Sequence, residues 1–150
     1  VDFAGCGGAP VREIRERLIG SWRLVSYETN DPAGRLGRPY ADAVGRLTYD
    51  ARGNMSGQVM RPDRAPVAIG KGNAQSVRAA YIGYIAYFGS YEVAADGASV
   101  VHRVEGALNP EWVGGTQIRR LRFDGERLVL SANVQKNGEI VTHTLTWERC

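Results

Sequence analysis

From Gly20 onward the chain alternates apolar and polar residues with period two, and turn residues interrupt the alternation about every ten positions. Segments 21–29, 45–50, 54–61, 86–94, 99–108, 116–124, 127–134 and 139–149 read as strands. Asp50-Ala51-Arg52-Gly53-Asn54, Asp96-Gly97, Asp124-Gly125 and Asn137-Gly138 punctuate them as tight turns, so the strands they join run antiparallel. Eight such strands in series predict an all-β fold, an eight-stranded antiparallel up-and-down barrel, which leaves no open edge. Residues 10–19 (PVREIRERLI) predict a short N-terminal helix, with Pro10 suited to its first turn and Val11, Ile14 and Leu18 on one side. Pro62 and Pro66 open a longer link in which 74–84 (AQSVRAAYIGY) predicts a second helix, lying across the barrel mouth or beside it. The 150 residues then divide into a tail, 1–9, and one barrel domain, 10–150.

Charge narrows the partners. The formal charge is +3, but the arginines are scattered, and alternation splits the closest group, Arg119, Arg120 and Arg122, between two faces. Without a basic stripe, no nucleic-acid partner is predicted. No apolar run approaches the ~20 residues of a membrane-spanning helix. Cys6 and Cys150 stand at the extremes with no zinc-ligand spacing, so no metal and no cofactor are predicted. The pair forms either one disulfide tying the termini, which implies an oxidising compartment, or two unrelated thiols. Phe3-Ala4-Gly5-Cys6 is similar to a bacterial lipoprotein cleavage box, but Asp2 stands where an apolar segment would run and no basic stretch precedes it. A cytoplasmic location is favoured slightly over a secreted or periplasmic one. The oligomeric state stays open, a homodimer among the options.

Parity assigns the interior. Arg103 and Glu105 belong in water, so His102 faces in with Val104, Gly106 and Leu108. Leu121 and Phe123 mark the inner face of 116–124 and carry Gln117 and Arg119 in with them, leaving Arg120 and Arg122 outside. Tyr87, Gly89, Tyr91 and Val93 share one face of 86–94; for 54–61 the inner set is undecided. An inward guanidinium needs a carboxylate, a ligand anion or water. Arg119 therefore pairs with an inward acid such as Glu28, snorkels to the rim, or anchors a ligand in an apolar pocket. His102 is either a hydrogen-bonded core residue or a proton donor and acceptor; His143, beside Leu145 and Trp147, is a weaker candidate. Trp112, on the glycine-flanked link 109–115, caps the barrel end or lines a ligand entrance.

Gly20-Ser21-Trp22 resembles the G-x-W signature of calycin barrels. The succession LIGSWRLVSYE (18–28), GRLTYDARGNMSGQVMRPDR (45–64), AYFGSYEV (86–93) and HRVEGALNPEWVGGTQIRR (102–120) resembles the bacterial and fungal lipocalin-like domain family. The resemblance runs from Leu18 to Arg149. It implies that Arg149 packs over Trp22 to close the barrel base, and that the barrel holds a ligand without a fixed catalytic motif. Related barrels in natural-product pathways act as cyclases or isomerases. The longer G-x-W-x-G-x-G pattern of haem-binding relatives is absent, since Arg23-Leu24-Val25 follows Trp22.

Three functions follow, in descending order. The first is a protein that binds a small, largely apolar molecule with a polar or anionic group, through Gln117, Arg119, His102, Tyr87, Tyr91, Trp112, Leu121 and Phe123. The second is a metal-independent cyclase or isomerase acting on a small hydrophobic substrate in the same cavity, with His102, Arg119 and Tyr87 as its catalytic groups. The third is a solid-cored interaction domain.

Overall fold

The structure, a computed structural model, describes residues 10–150. Nine strands form one antiparallel sheet: β1 (Gly20–Asn30), β2 (Leu36–Gly37), β3 (Val44–Tyr49), β4 (Asn54–Met60), β5 (Tyr84–Val93), β6 (Ser99–Ala107), β7 (Thr116–Asp124), β8 (Arg127–Lys136) and β9 (Glu139–Arg149). All but β2 pair in chain order, and β9 returns to β1 from Trp22↔Arg149 to Asn30↔Thr142, which closes an eight-stranded barrel. The two-residue β2, which alternation did not reveal, clips onto the end of β1. Helix α1 (Val11–Leu18) precedes the barrel, α2 (Ala74–Ile82) lies in the β4–β5 link, and one 3₁₀ turn (Pro110–Trp112) lies in the β6–β7 link. The barrel and its two helices are those predicted, with boundaries within two residues. Cys6 and the tail 1–9 lie outside the described residues, and with them the disulfide to Cys150.

One end of the barrel is filled. Helix α1 lays Ile14 and Leu18 across it, and the Leu18 carbonyl accepts a hydrogen bond from Trp22 Nε1 at 2.9 Å. The Arg149 guanidinium lies 4.3 Å from the Trp22 ring centroid and donates to the carbonyls of Ile19 and Arg17. Arg17 stacks on Phe123 at 3.8 Å, and Arg15 approaches Tyr91 at 5.7 Å. Three arginines thus roof three rings, so their apolar stems cover the base while their charges stay at the surface. The backbone must pass close beneath them. Gly20 has φ +134°, and a Cβ there would fall 2.7 Å from Arg149 Nη1.

Two bulges change the parity. On β1, Leu24 pairs with Trp147 but Ser26 with Thr146, so Val25 is an extra residue that turns outward. Tyr27 therefore points in, and Glu28 falls on the outer face, which removes it as the partner of Arg119. On β6, Val104 pairs with Gly89 and Gly106 with Phe88, so Glu105 is the extra residue. Gly106 lies beneath the outward Phe88 ring, 2.5 Å from where a Cβ would stand. Leu108, expected inside with His102, is 40% exposed.

Trp22→Ala is expected to cost about 3–5 kcal/mol, because it empties the base and leaves Arg149 without its ring. Gly20→Ala should also destabilise, through both its positive φ and the Arg149 contact. Urea unfolding of the two variants checks both; wild-type midpoints would refute this account of the base.

Candidate functional site

Above the filled base the barrel is hollow. A cavity of about 630 Å³ lies in its upper half, within the range of small-molecule sites. Its walls are mainly apolar and aromatic: Leu47, Val59, Ile85, Leu130, Leu145 and Trp147, with Tyr27, Tyr87 and Trp112 nearer the rim. Trp112 stands edge-on to Tyr87 at 6.0 Å, placed there by the 3₁₀ turn that Asn109 caps through its side chain. Strand β7 pairs with β8 only from Arg120↔Ser131 to Asp124↔Arg127. Above that point the two strands diverge, and consecutive residues of both, 116–119 and 132–134, line the cavity. The hollow therefore reaches the edges of a gap in the wall.

Arg119 sits at that gap. Its Nη1 donates to the Ile118 carbonyl at 3.1 Å, and its Nη2 donates to Gln117 Oε1 at 3.0 Å. It is the only charged side chain lining the cavity, and no carboxylate lies within 4.0 Å of it among the described residues. Two tyrosine–histidine groups feel its charge. In the first, His102 is 1% exposed and both its nitrogens are bonded, Nε2 to the Tyr49 hydroxyl and Nδ1 to the Tyr87 hydroxyl, each at 2.7 Å. A neutral imidazole has one donor and one acceptor nitrogen, so one tyrosine donates to the ring and the other accepts from it. Burial, reinforced by Arg119, holds His102 down to about 3. Burial raises both tyrosines, and Arg119 draws them part of the way back. In the second group, the Tyr27 hydroxyl meets His143 Nδ1 at 2.8 Å. Burial pushes Tyr27 up to about 12; burial first, then Arg119, lowers His143.

Of the residues singled out from sequence, His102, Gln117, Arg119, Tyr87 and Trp112 line this cavity together, as does His143. Tyr91, Leu121 and Phe123 do not. Tyr91 bonds the Asp50 carbonyl at the base turn, Phe123 lies under Arg17 against Trp22, and Leu121 is core beside them. Their face was read correctly, but parity carries no information on depth along the barrel. Tyr49 and Tyr27 were missed. Tyr49 shares parity with Leu47, which would have revealed it, whereas the Val25 bulge hides Tyr27 from any straight alternation.

The arrangement is suited to hold an anion beside apolar surface. It is less suited to proton abstraction by His102, which has neither a free nitrogen nor a ring that charges near neutral pH. Among the described residues, no group of three or more histidine, cysteine or acidic side chains is arranged to hold a metal ion.

The sequence profile of the lipocalin-like domain family matches residues 19–150. No curated protein sequence matches the chain. Among solved structures, the chain is similar to the siderocalin Ex-FABP, described as functioning through dual ligand specificities. That likeness covers 89% of this chain and 71% of the other, at 10% identity and a TM-score of 0.34, too low to carry an argument.

The depressed His102 makes stability depend on pH. Below about pH 6.5 the unfolded chain takes up a proton that the folded ring refuses until about pH 3. Stability should therefore fall as pH drops through that window, by roughly 5 kcal/mol at its lower end. His143 contributes with the same sign, so urea titrations of wild type and His102→Phe isolate the His102 part. An unchanged slope in the variant would contradict the assignment.

Proposed function

This chain belongs to the lipocalin-like domain family, and on that premise we propose that its barrel binds a small, largely apolar molecule carrying one anionic group. The observation that carries the reading is Arg119: a guanidinium lining an otherwise uncharged cavity of about 630 Å³, with no acid among the described residues to pair with. A charge in such a place is costly unless an opposite charge or water meets it. Two of its five N–H donors are bonded within β7, which leaves others for a carboxylate, sulfonate or phenolate. Gln117 orients the guanidinium, and the aromatic walls take the apolar body of the ligand. One fixed charge suits a monoanion.

The alternative, a cofactor-independent cyclase or isomerase, needs reacting groups within the same cavity. With both His102 nitrogens occupied, Tyr87 and Arg119 would have to serve, as hydrogen-bond donors to developing negative charge rather than as a base at neutral pH. No observation favours chemistry over binding, so binding is the reading adopted.

Two naphthalene dyes test it. Anilinonaphthalene sulfonate carries an anion on an aromatic body, and N-phenylnaphthylamine is its neutral counterpart. The wild-type protein is expected to bind the sulfonate more tightly, and Arg119→Gln to weaken the sulfonate by about tenfold or more while sparing the neutral dye. Fluorescence titration reads both. Equal loss of the two dyes, or loss of neither, would defeat the anchor role.

A further inference from the structure

Thirteen large apolar side chains are exposed among the described residues, and all but Val25 and Phe88 belong to loops, helix α2 or strand segments toward the open end of the barrel. A soluble surface normally scatters such residues. Here they gather at the mouth: Leu36 and Val44 beside β1, Val113 in the β6–β7 link, and Val134 and Ile140 on the β8–β9 hairpin.

The 61–83 link makes this mouth basic as well as apolar. It carries Arg61, Arg64, Lys71 and Arg78 against Asp63 alone, a net +3 that equals the charge of the entire chain. Asp63 is already paired with Arg61. Helix α2 buries none of its residues, and Val77, Tyr81 and Ile82 are exposed on it. Before the helix, the Lys71 amide bonds the Ala68 carbonyl at 2.9 Å, closing a turn that holds the exposed Ile69 and Lys71 two residues apart. Ile69 is 103% exposed, with nothing packed against it. The segment is nevertheless tied down: Arg64 donates to the Ala80 carbonyl at 3.2 Å, and the Tyr40 hydroxyl donates to the Ile82 carbonyl at 2.9 Å.

We propose that the open end of the barrel docks on an anionic lipid surface, with Ile69 inserted among the headgroups and Lys71 and Arg78 facing their phosphates. An apolar tip beside basic residues is the composition of an interfacial membrane contact, in which buried apolar area and attraction to anionic lipid act together. A second copy of the chain fits less well, since a two-fold contact through this segment sets one +3 patch against another. A lipid interface is also continuous in its plane, so it can meet apolar residues distributed around a rim. No helix among the described residues is long and apolar enough to span a bilayer, and this contact needs none. The inference goes beyond the cavity's ligand and does not depend on it.

Co-sedimentation with vesicles tests the proposal, using phosphatidylcholine alone and phosphatidylcholine mixed with phosphatidylglycerol. The protein is expected to bind the mixed vesicles selectively and to be released by salt. Ile69→Asp and Lys71→Glu should each weaken that binding about tenfold, with unchanged thermal unfolding because both side chains are exposed. Arg119→Gln should leave it unchanged, which separates a failure here from a failure of the anion-anchor reading. Two outcomes would overturn the proposal: equal binding to both compositions, or no vesicle binding, which together with self-association abolished by Ile69→Asp would assign the patch to a second copy of the chain.

Discussion

Closing eight strands on themselves leaves two ends and an interior, and the described residues build only one of the ends. The return of β9 to β1 sets Arg149 opposite Trp22, and everything at the base follows from that register. The guanidinium lies over the indole and bonds the carbonyls that lead out of α1. With α1 held there, Leu18 and Ile14 seal the end, and Arg17 and Arg15 extend the same stacking to Phe123 and Tyr91. Large rings are consumed in the base. The opposite half has no such layer, so its walls enclose space.

An empty apolar space would be unremarkable in chemistry if every polar group around it were satisfied internally. Most are. His102 is bonded on both nitrogens, which couples its tautomer to the two tyrosine hydroxyls, and its burial keeps the ring neutral. Such a closed network rigidifies a core, and its low local dielectric lengthens the reach of any nearby charge. The nearby charge is Arg119, which lowers both histidines and draws the tyrosines down. One residue therefore sets the electrostatic character of the whole cavity. An anion arriving there would relieve that field, easing protonation of His143 more than of the fully enclosed His102.

How much of this was legible in the sequence depends on which physical rule each residue obeys. Period two and turn chemistry are local rules, so the strands, the hairpins and the inward faces of His102, Gln117, Arg119 and Tyr87 could be read directly. Bulges obey no such rule. Val25 carries no glycine or turn signal, and Glu105 is marked only by the isolated glycines Gly106 and Gly89 beside it, yet each inverts the parity beyond it, bringing Tyr27 in and turning Glu28 and Leu108 out. Depth is the other hidden quantity. Tyr91, Leu121 and Phe123 share a face with cavity residues but sit below them, because a tilted strand crosses both base and hollow. The gap between β7 and β8 was equally invisible, being a property of shear rather than of any residue.

That gap explains why an arginine is tolerable where parity places it. A strand edge facing open space leaves carbonyls without ladder partners, to be met by side chains or by water. The Ile118 carbonyl stands at the place where β8 has already diverged, and Arg119 Nη1 supplies the bond that β8 would have made. The guanidinium thus completes the wall with one edge and presents its remaining donors to the cavity with the other. Leucine there would fill space but leave the exposed Ile118 carbonyl to water, and a carboxylate partner would satisfy the charge but remove its reach into the hollow. The side chain that closes this strand edge is thus also the one proposed to anchor the ligand's anion.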